Sequence, residues 1–354
     1  MYKAVLHDHL DGGLRAITAK ELAIKDNYTP LLNVDDVESF FNRESSESLE
    51  DYLEAFVHTT ALMNSYENLE RIAFEAAEDM HNEGITHYES RYAPLYSVNN
   101  SLTPKDVIDA INSGFKQAED LYGIQSGLIL CGMRNDTNNV KQVTEIAVNY
   151  KEKIIGFDIA GPEFNYLPSL FSDEFKKLVE NNVNLTIHAG EGDGVNSIQE
   201  ALENGAKRIG HGVRIIEDID LETGLFGPTA TYILENNIPL EICITSNIHT
   251  NMYSDYKDHP IKDLIDLNFP VTINTDNRLM SNTNILKEIT IAENLNITNA
   301  NKLLEKGFAY KCYCSEEEIN EQKEICKKKG IPYIYNRKWR DPKNLRIPDN
   351  VSPV

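Results

Sequence analysis

Eight short apolar runs, separated by stretches with helical periodicity, constrain the fold more than any other feature of the sequence. Most of the runs are almost continuously apolar rather than alternating, which is typical of parallel strands that are covered on both faces. In repeated βα units, a helix lies between each strand and the next. The runs are residues 3–7 (KAVLH), 85–92 (ITHYESRY), 127–133 (GLILCGM), 154–160 (IIGFDIA), 184–190 (NLTIHAG), 208–213 (RIGHGV), 240–246 (LEICITS) and 271–276 (VTINTD).

This pattern predicts an α/β fold, a (β/α)8 TIM-type barrel, over residues 1–298. A chain of 354 residues is long enough for one such domain with an appendage. The stretch 49–80 repeats apolar residues three or four positions apart, as the outer helices of a barrel do. An open, doubly wound sheet is the alternative, but neither GxGxxG nor GxxxxGK(S/T) follows any of the runs.

Polar side chains suited to metal binding or proton transfer cluster at the carboxyl ends of four of these runs. Barrel active sites are built on that face, where the strand ends converge on one central crevice. In the stretch VLHDHLDGG two histidines lie two residues apart, so both can point to the same side of a strand. Taken singly, each residue also suits a structural role, but chance explains the joint placement poorly. The residues are His7, His9, His188, Glu191, His211, Asp276 and Asn277.

Three imidazoles and one carboxylate of this set form a plausible ligand shell for one zinc ion per chain, with room for a water or a substrate. The predicted ligands are His7, His9, His188 and Asp276. Glu191 and His211 come from neighbouring strand ends and could move protons beside the metal. The reaction class that this arrangement indicates is metal-assisted hydrolysis.

The sequence lacks the lysine and the signature motifs that mark other classes of zinc hydrolase. Binuclear barrel hydrolases commonly carry a bridging lysine at the end of the fourth strand, where this chain reads IIGFDIAGPE, so a single metal is favoured. The sequence has no HExxH, GxSxG or HxE…PCxxC signature. A barrel amidohydrolase that acts on a cyclic amide is the alternative, and the missing lysine and the glutamate of HAGE argue against it.

The net charge of −22 argues against nucleic acid or an anionic membrane surface as a partner and favours a small, neutral substrate. No apolar run is long enough to cross a bilayer, and the first residues lack a signal-peptide pattern. Five cysteines are too few, and odd in number, for a disulfide framework. We therefore expect a cytoplasmic protein.

Six motifs, HDHLDGG, DIAGPE, TIHAGEG, RIGHGVR, ITSN and INTDN, occur in the order and roughly the spacing of the adenosine deaminase family, which residues 1–298 resemble. The resemblance implies a (β/α)8 barrel with one catalytic zinc ion. It also implies hydrolysis of adenosine and 2′-deoxyadenosine to inosine and 2′-deoxyinosine, with release of ammonia, in purine salvage. The partner would then be a purine nucleoside.

The resemblance also implies a role for each site residue. His7, His9, His188 and Asp276 match the zinc ligands. Glu191 matches the acid that protonates purine N1, and His211 matches the residue that orients and deprotonates the catalytic water with help from Asp276. Two further residues match substrate contacts: Gly161 the backbone amide that meets the purine, and Asp11 the acid near the ribose.

One position departs from the family pattern. The family usually has a second consecutive aspartate that binds purine N7, and this chain has Asn277 there. An amide can donate to N7 without being protonated, so the contact is expected to persist. Relatives in the family also deaminate adenine, adenosine monophosphate or modified adenosines, and adenine or a modified adenosine is the alternative substrate. Asp11 in HLDG resembles the nucleoside enzymes more than the free-base enzymes.

The sequence changes character near residue 299. Residues 300–354 hold 12 Lys and Arg against 8 Asp and Glu, whereas the first 299 residues carry a net charge of −26. The appended segment 299–354 resembles part of a bacterial glutamyl-tRNA synthetase, a family in which some members bind a structural zinc. The zinc positions would be Cys312, Cys314, Tyr335 and Trp339, and the tryptophan makes a complete site improbable. A non-catalytic, RNA-associated role for this basic segment is a minor alternative.

Overall fold

A closed barrel of eight parallel strands forms the centre of the computed structural model, which describes residues 3–295. A short antiparallel hairpin, β7 with β8, lies between the sixth and seventh barrel strands. The strands are β1 (Ala4–His9), β2 (His87–Tyr92), β3 (Gln125–Met133), β4 (Gly156–Ala160), β5 (Thr186–Ala189), β6 (Arg208–His211), β7 (Ile219–Asp220), β8 (Leu225–Phe226), β9 (Leu240–Ile242) and β10 (Val271–Ile273).

Two four-stranded sheets, in the orders β1-β2-β3-β4 and β10-β9-β6-β5, make up the barrel wall. Parallel bridges close the wall between Phe157 and Leu185 and between Asp8 and Asp276. At the second seam the His9 amide donates to the Asp276 carbonyl at 2.6 Å, and the Asp276 amide donates to the carbonyl of His7 at 3.0 Å. The seam thereby joins the two strand ends that carry most of the predicted metal ligands.

Helices surround the barrel strands. The α-helices are α1 (Ala16–Lys25), α2 (Thr29–Leu32), α3 (Val37–Phe41), α4 (Leu49–Leu53), α5 (Phe56–Leu62), α6 (Tyr66–Asn82), α7 (Pro104–Tyr122), α8 (Thr137–Asn149), α9 (Ser172–Glu180), α10 (Val195–Glu203), α11 (Pro228–Asn236), α12 (Ile244–His249), α13 (Ile261–Asp266) and α14 (Ile285–Asn294). Short 3-10 helices cover Pro94–Tyr96, Lys151–Lys153, Pro168–Phe171, Val213–Asp218 and Tyr256–Asp258.

The two longest helices, α6 and α7, show how the outer layer packs. Helix α6 buries apolar residues three or four positions apart, among them Leu69, Ile72 and Ala76. In α7, a β-carbon on Gly114 would lie 2.2 Å from the carbonyl oxygen of Glu70, so a glycine lets the two helices approach closely. The predicted (β/α)8 fold class is confirmed.

The structure differs from the sequence prediction in two segments. The helical stretch 49–80 is divided into α4, α5 and α6, and α6 begins where the Ser65 side chain accepts a hydrogen bond from the Asn68 amide. The apolar run 240–246 is a strand only to Ile242, and its last residues enter α12. Tertiary packing overrides the strand preference of those β-branched residues, because the side chains of α12 are mostly buried.

The predictions for the appended segment 299–354, including the boundary at residue 298 and the cysteine positions, lie outside the described residues. Within residues 3–295, none of the helices is long and apolar enough to cross a membrane.

Candidate active site

A cavity of about 470 Å³ opens at the carboxyl ends of the barrel strands. Its floor contains most of the polar residues that the sequence singled out, and its mouth is lined by apolar side chains of α4 and α5 such as Leu53 and Phe56. The predicted residues that line it are His9, Asp11, Gly161, His188, Glu191, His211, Asp276 and Asn277.

Imidazole and carboxylate groups converge at the bottom of this cavity. His9 Nε2 lies 3.2 Å from His188 Nε2 and 3.4 Å from Asp276 Oδ1. His7 Nε2 lies 3.3 Å from the same carboxylate oxygen. The structure therefore brings all four predicted metal ligands together. His211 is close enough to belong to the group, since His7, His188, His211 and Asp276 each offer a ligand atom within 4.8 Å of the others.

The spacing of these atoms suits one shared zinc ion. Ligand atoms about 2.0–2.1 Å from zinc lie roughly 3.3–3.4 Å apart in a tetrahedron. Three of the six separations, His9–His188 at 3.2 Å, His7–Asp276 at 3.3 Å and His9–Asp276 at 3.4 Å, match this value. His7 Nε2 and Asp276 Oδ1 are buried and have no hydrogen-bond partner among the described residues, as expected of atoms that face a metal ion. The residues present fit the ion.

A buried ion network orients the two innermost histidines. His7 Nδ1 lies 3.2 Å from Glu241 Oε2, and His188 Nδ1 lies 2.7 Å from Asp158 Oδ2. The Arg91 guanidinium joins these carboxylates, at 2.7 Å from Glu241 and 2.5 Å from Asp158. Such carboxylates fix the ring orientation of ligating histidines. Arg91 has no exposed side-chain surface, so the network is shielded from water and salt.

The loop after β5 is held in place by Glu163 of the DIAGPE motif. Its carboxylate accepts backbone hydrogen bonds from Gly190 at 2.7 Å, Glu191 at 2.9 Å and Asp193 at 3.1 Å. Gly190 has φ of +73°, a conformation that glycine adopts without strain. The Glu191 side chain is thereby directed into the cavity, with Oε2 3.7 Å from His211 Nε2.

Two neighbouring carboxyl groups differ strongly in acidity. Burial, together with the negative charges of Asp276 and Glu163, raises the pKa of Glu191 well above its usual range. Burial acts in the same direction on Asp276, but the close contact with His7 at 3.3 Å and the nearby His211 and His9 hold the pKa of Asp276 well below the ordinary value. The site thus contains one carboxyl group of raised pKa beside another of lowered pKa, a pairing typical of acid–base catalysis.

Two of the site residues have left-handed backbone conformations. His211 has φ of +59° and Asp276 has φ of +57°, which costs on the order of 1–3 kcal/mol for a residue other than glycine. Burial lowers the pKa of His211 to about 3, so the ring is neutral. Its Nδ1 lies 3.1 Å from the side-chain amide nitrogen of Asn247, and its Nε2 lies 3.9 Å from Asp276 Oδ2.

The predicted substrate-binding residues lie around the rest of the cavity. Burial raises the pKa of Asp11 to about 7, and its Oδ1 has no hydrogen-bond partner within residues 3–295. Gly161 has φ of +94°, so its backbone can approach a ligand without interference from a side chain. Asn277 is buried against Gly12, where an added β-carbon would lie 1.9 Å from Asn277 Oδ1.

Several residues that shape the site were missed by the sequence analysis. A signal was present, because charged residues interrupt apolar strands at Arg91 in YESRY, Asp158 in GFDIA and Glu241 in LEICIT. A charge is rarely fully buried unless it is paired, so such positions indicate an internal ion network. Asn247 lies in the ITSN motif, but nothing in the sequence alone indicates its contact with His211.

Comparison with known proteins agrees with this geometry. The sequence model of the adenosine deaminase family matches residues 2–311. Adenosine deaminase 1 of Streptomyces coelicolor is 42% identical over 299 residues, which cover 81% of this chain and 75% of that protein.

Solved structures share the fold at lower identity. The adenine deaminase of Arthrobacter aurescens superposes with a TM-score of 0.75 at 19% identity, over 92% of this chain and 99% of that chain. A Burkholderia ambifaria amidohydrolase with bound Zn gives a TM-score of 0.71 at 22% identity, over 83% and 80% of the two chains. The fold, the converging histidines and the family match lead to one conclusion: the chain belongs to the adenosine deaminase family.

Proposed function

We propose that the protein catalyses the zinc-dependent hydrolytic deamination of adenosine and 2′-deoxyadenosine. The observation that carries the proposal is the group of His7, His9, His188 and Asp276, in which three pairs of ligand atoms lie 3.2 to 3.4 Å apart, beside Glu191 with its raised pKa. Relatives named adenosine deaminase at about 40% identity support the substrate. A place in cytoplasmic purine salvage is part of the same proposal, and the low, odd cysteine content supports that location.

The same four residues would hold the zinc ion. When bound there, zinc lowers the pKa of a water molecule toward neutrality, so that water becomes a nucleophile. The chain itself provides the proton transfers. Glu191, whose pKa is raised, donates its proton to purine N1 and makes C6 electrophilic.

The side chains in the cavity account for every proton that moves in the reaction. His211 and Asp276 orient the water that adds at C6 and take its proton. Collapse of the tetrahedral carbon then breaks the C6–N6 bond. Of the two water protons, one leaves with the amine as ammonia and the other returns to Glu191, while the proton from Glu191 stays on N1 of the product.

The charge of the cavity favours a neutral nucleoside. Its described lining contains the carboxyl groups of Asp11 and Glu54 but no lysine or arginine that would pair with a phosphate. Adenine or a modified adenosine is the second candidate substrate. A purified-enzyme comparison of kcat/KM for adenosine and adenine separates the two, and the proposal requires the nucleoside to be preferred.

We expect adenosine monophosphate to be a poor substrate, with kcat/KM about 10²-fold below that of adenosine, because its phosphate would face carboxyl groups. Steady-state rates at equal ionic strength measure the ratio. 2′-Deoxyadenosine is the matched control, since it is altered at the sugar but stays neutral, and it should react at a rate close to that of adenosine. Comparable turnover of the monophosphate would contradict this charge argument.

We expect Gly12→Ala to raise the KM for adenosine about tenfold, because the new methyl group would displace the Asn277 side chain and its purine hydrogen bond. Zinc content should be unchanged. Gly123→Ala is the control for general backbone strain: its φ of +74° disfavours alanine, but nothing lies within 4 Å of a β-carbon there and the residue does not line the cavity, so the KM should stay normal. A normal KM in the Gly12 variant would show that Asn277 does not contact the purine.

The test of the proposed function is to follow the ultraviolet change as purified protein meets adenosine, with and without a strong zinc chelator. Formation of inosine that the chelator abolishes and added zinc restores is the expected result. Absence of inosine formation by folded, zinc-loaded protein would overturn the proposal.

A further inference from the structure

A chain of hydrogen bonds runs from the first backbone amide of α13 to the side chain of His211, which lines the cavity. The backbone amide of Ile261 lies 3.2 Å from His259 Nδ1. His259 Nε2 lies 3.2 Å from Asn247 Oδ1, and the Asn247 amide nitrogen lies 3.1 Å from His211 Nδ1. His259 and Asn247 are buried, and neither lines the substrate cavity.

The direction of the first bond fixes the proton on His259. A backbone N–H can only donate, so His259 Nδ1 must carry the lone pair. Burial lowers the pKa of His259 to about 3, so the ring is neutral and its one proton lies on Nε2. His259 Nε2–H therefore donates to the Asn247 side chain, and the atom that accepts is the amide oxygen.

The orientation of the Asn247 amide fixes the proton on His211 in the same way. With its oxygen toward His259, Asn247 directs its NH2 group at His211 Nδ1. An NH2 group can only donate, so His211 Nδ1 accepts and the ring proton lies on Nε2. That nitrogen faces Glu191 at 3.7 Å and Asp276 at 3.9 Å.

We propose that Asn247 and His259 are positioning residues that hold His211 in the Nε2–H tautomer, so that His211 donates a hydrogen bond to the attacking water oxygen. This inference rests on the proposed deamination. The inference gives His211 and Asp276 separate roles toward the water. His211 donates a hydrogen bond to the water oxygen, and Asp276 Oδ2 accepts the water proton. No lone pair of His211 is available at the cavity.

The tautomer can be read directly in the zinc-loaded protein. Histidine labelled with 15N shows by long-range 1H–15N correlation which ring nitrogen carries the proton, and the His211 signal is identified by its loss in His211→Gln. We expect Nε2 to be protonated and Nδ1 to be free. A His211 protonated on Nδ1 would overturn the proposal.

Asn247→Asp tests the effect on the reaction. A carboxylate only accepts, so it would draw the His211 proton to Nδ1 and leave a lone pair at the cavity. We expect the spectrum to show the changed tautomer and kcat to fall by about 10²-fold, with KM unchanged because Asn247 does not line the cavity. A changed tautomer with undiminished kcat would overturn the donor role.

His259 provides a second pair of variants in case the aspartate does not fold. His259→Gln keeps a donor toward Asn247 and should retain both the tautomer and kcat. His259→Phe removes that donor, and we expect a mixed His211 tautomer and a lower kcat at equal zinc content. Equal loss in both variants, without a change of tautomer, would indicate a structural role only and overturn the proposal.

These measurements separate the two proposals. The wild-type tautomer is read without any substrate, so a protein that fails to deaminate adenosine but shows Nε2–H at His211 overturns the proposed function, and with it the role in deamination, while the tautomer assignment stands. A protein that deaminates adenosine but carries the opposite tautomer overturns only the inference drawn from the hydrogen-bond chain.

Discussion

Glu191→Gln should lower kcat for adenosine by about 10³-fold while leaving zinc bound. The amide keeps the size of the side chain but has no acidic proton to deliver to purine N1, and general acid catalysis of this kind contributes roughly 10²–10⁴-fold. Burial and the neighbouring carboxylates raise the pKa of Glu191, which favours a role as proton donor. Single-turnover rates with a saturating enzyme concentration, together with zinc analysis of the same sample, measure both parts of the prediction.

The control for this variant is Glu180→Gln, which makes the same change at an exposed position at the end of α9. It should have normal turnover. If Glu191→Gln kept the wild-type rate with its zinc in place, Glu191 would not be the proton donor. If it lost zinc as well as activity, the residue would be needed for the metal centre rather than for proton transfer.

Arg91→Met should lower the free energy of unfolding by about 3–5 kcal/mol, because it leaves the buried Asp158 carboxylate without its arginine and Glu241 with Arg208 alone, whose Nε lies 2.7 Å from Glu241 Oε1. We also expect zinc affinity to fall about 10–100-fold, since Glu241 and Asp158 would no longer hold His7 and His188 in one orientation. Denaturant unfolding of the metal-free protein and competition with a zinc chelator measure the two effects separately.

Arg71→Met is the matched control for that substitution. Arg71 forms ion pairs with Glu21 and Glu75, but its side chain is 40% exposed, and surface pairs contribute only about 0–1 kcal/mol. A similarly small effect at Arg91 would contradict the view that the buried network is essential. If Arg91→Met lost about 3–5 kcal/mol of unfolding free energy but kept its zinc affinity, the network would contribute to stability alone.

The sequence could reveal the barrel because each strand is a short apolar run and because the active face collects polar residues. Eight of the ten strands were predicted, and the two that were missed, Ile219–Asp220 and Leu225–Phe226, are too short to give a pattern. The boundaries of the helices were harder to predict from the sequence. The break between α5 and α6 depends on a single capping serine, and the start of α12 depends on tertiary packing that no local preference encodes.

The sequence indicates which side chains gather at the site, but it does not indicate the hydrogen bonds and ion pairs that orient them. Strand ends show which side chains share a face, and the structure brings His7, His9, His188 and Asp276 close together, as the strand ends indicate. The link between Glu241, Arg91 and Asp158 joins residues far apart in the sequence, and only the closed barrel brings them together. The direction of the hydrogen bonds through Asn247 likewise depends on a backbone amide in a later helix.

The seam between β1 and β10 also determines when the protein can become an enzyme as it is being made. Leu6 donates to Asn274 across this seam, a separation of 268 residues. Ribosomes add about 5–20 residues per second, so the histidines of β1 emerge on the order of ten seconds to a minute before their partner Asp276. During that interval β1 lacks its neighbour at this seam, and the proposed zinc site lacks one of its ligands. The carboxylate of Asp276 can therefore join the histidines of β1 only after almost the whole barrel has been synthesised.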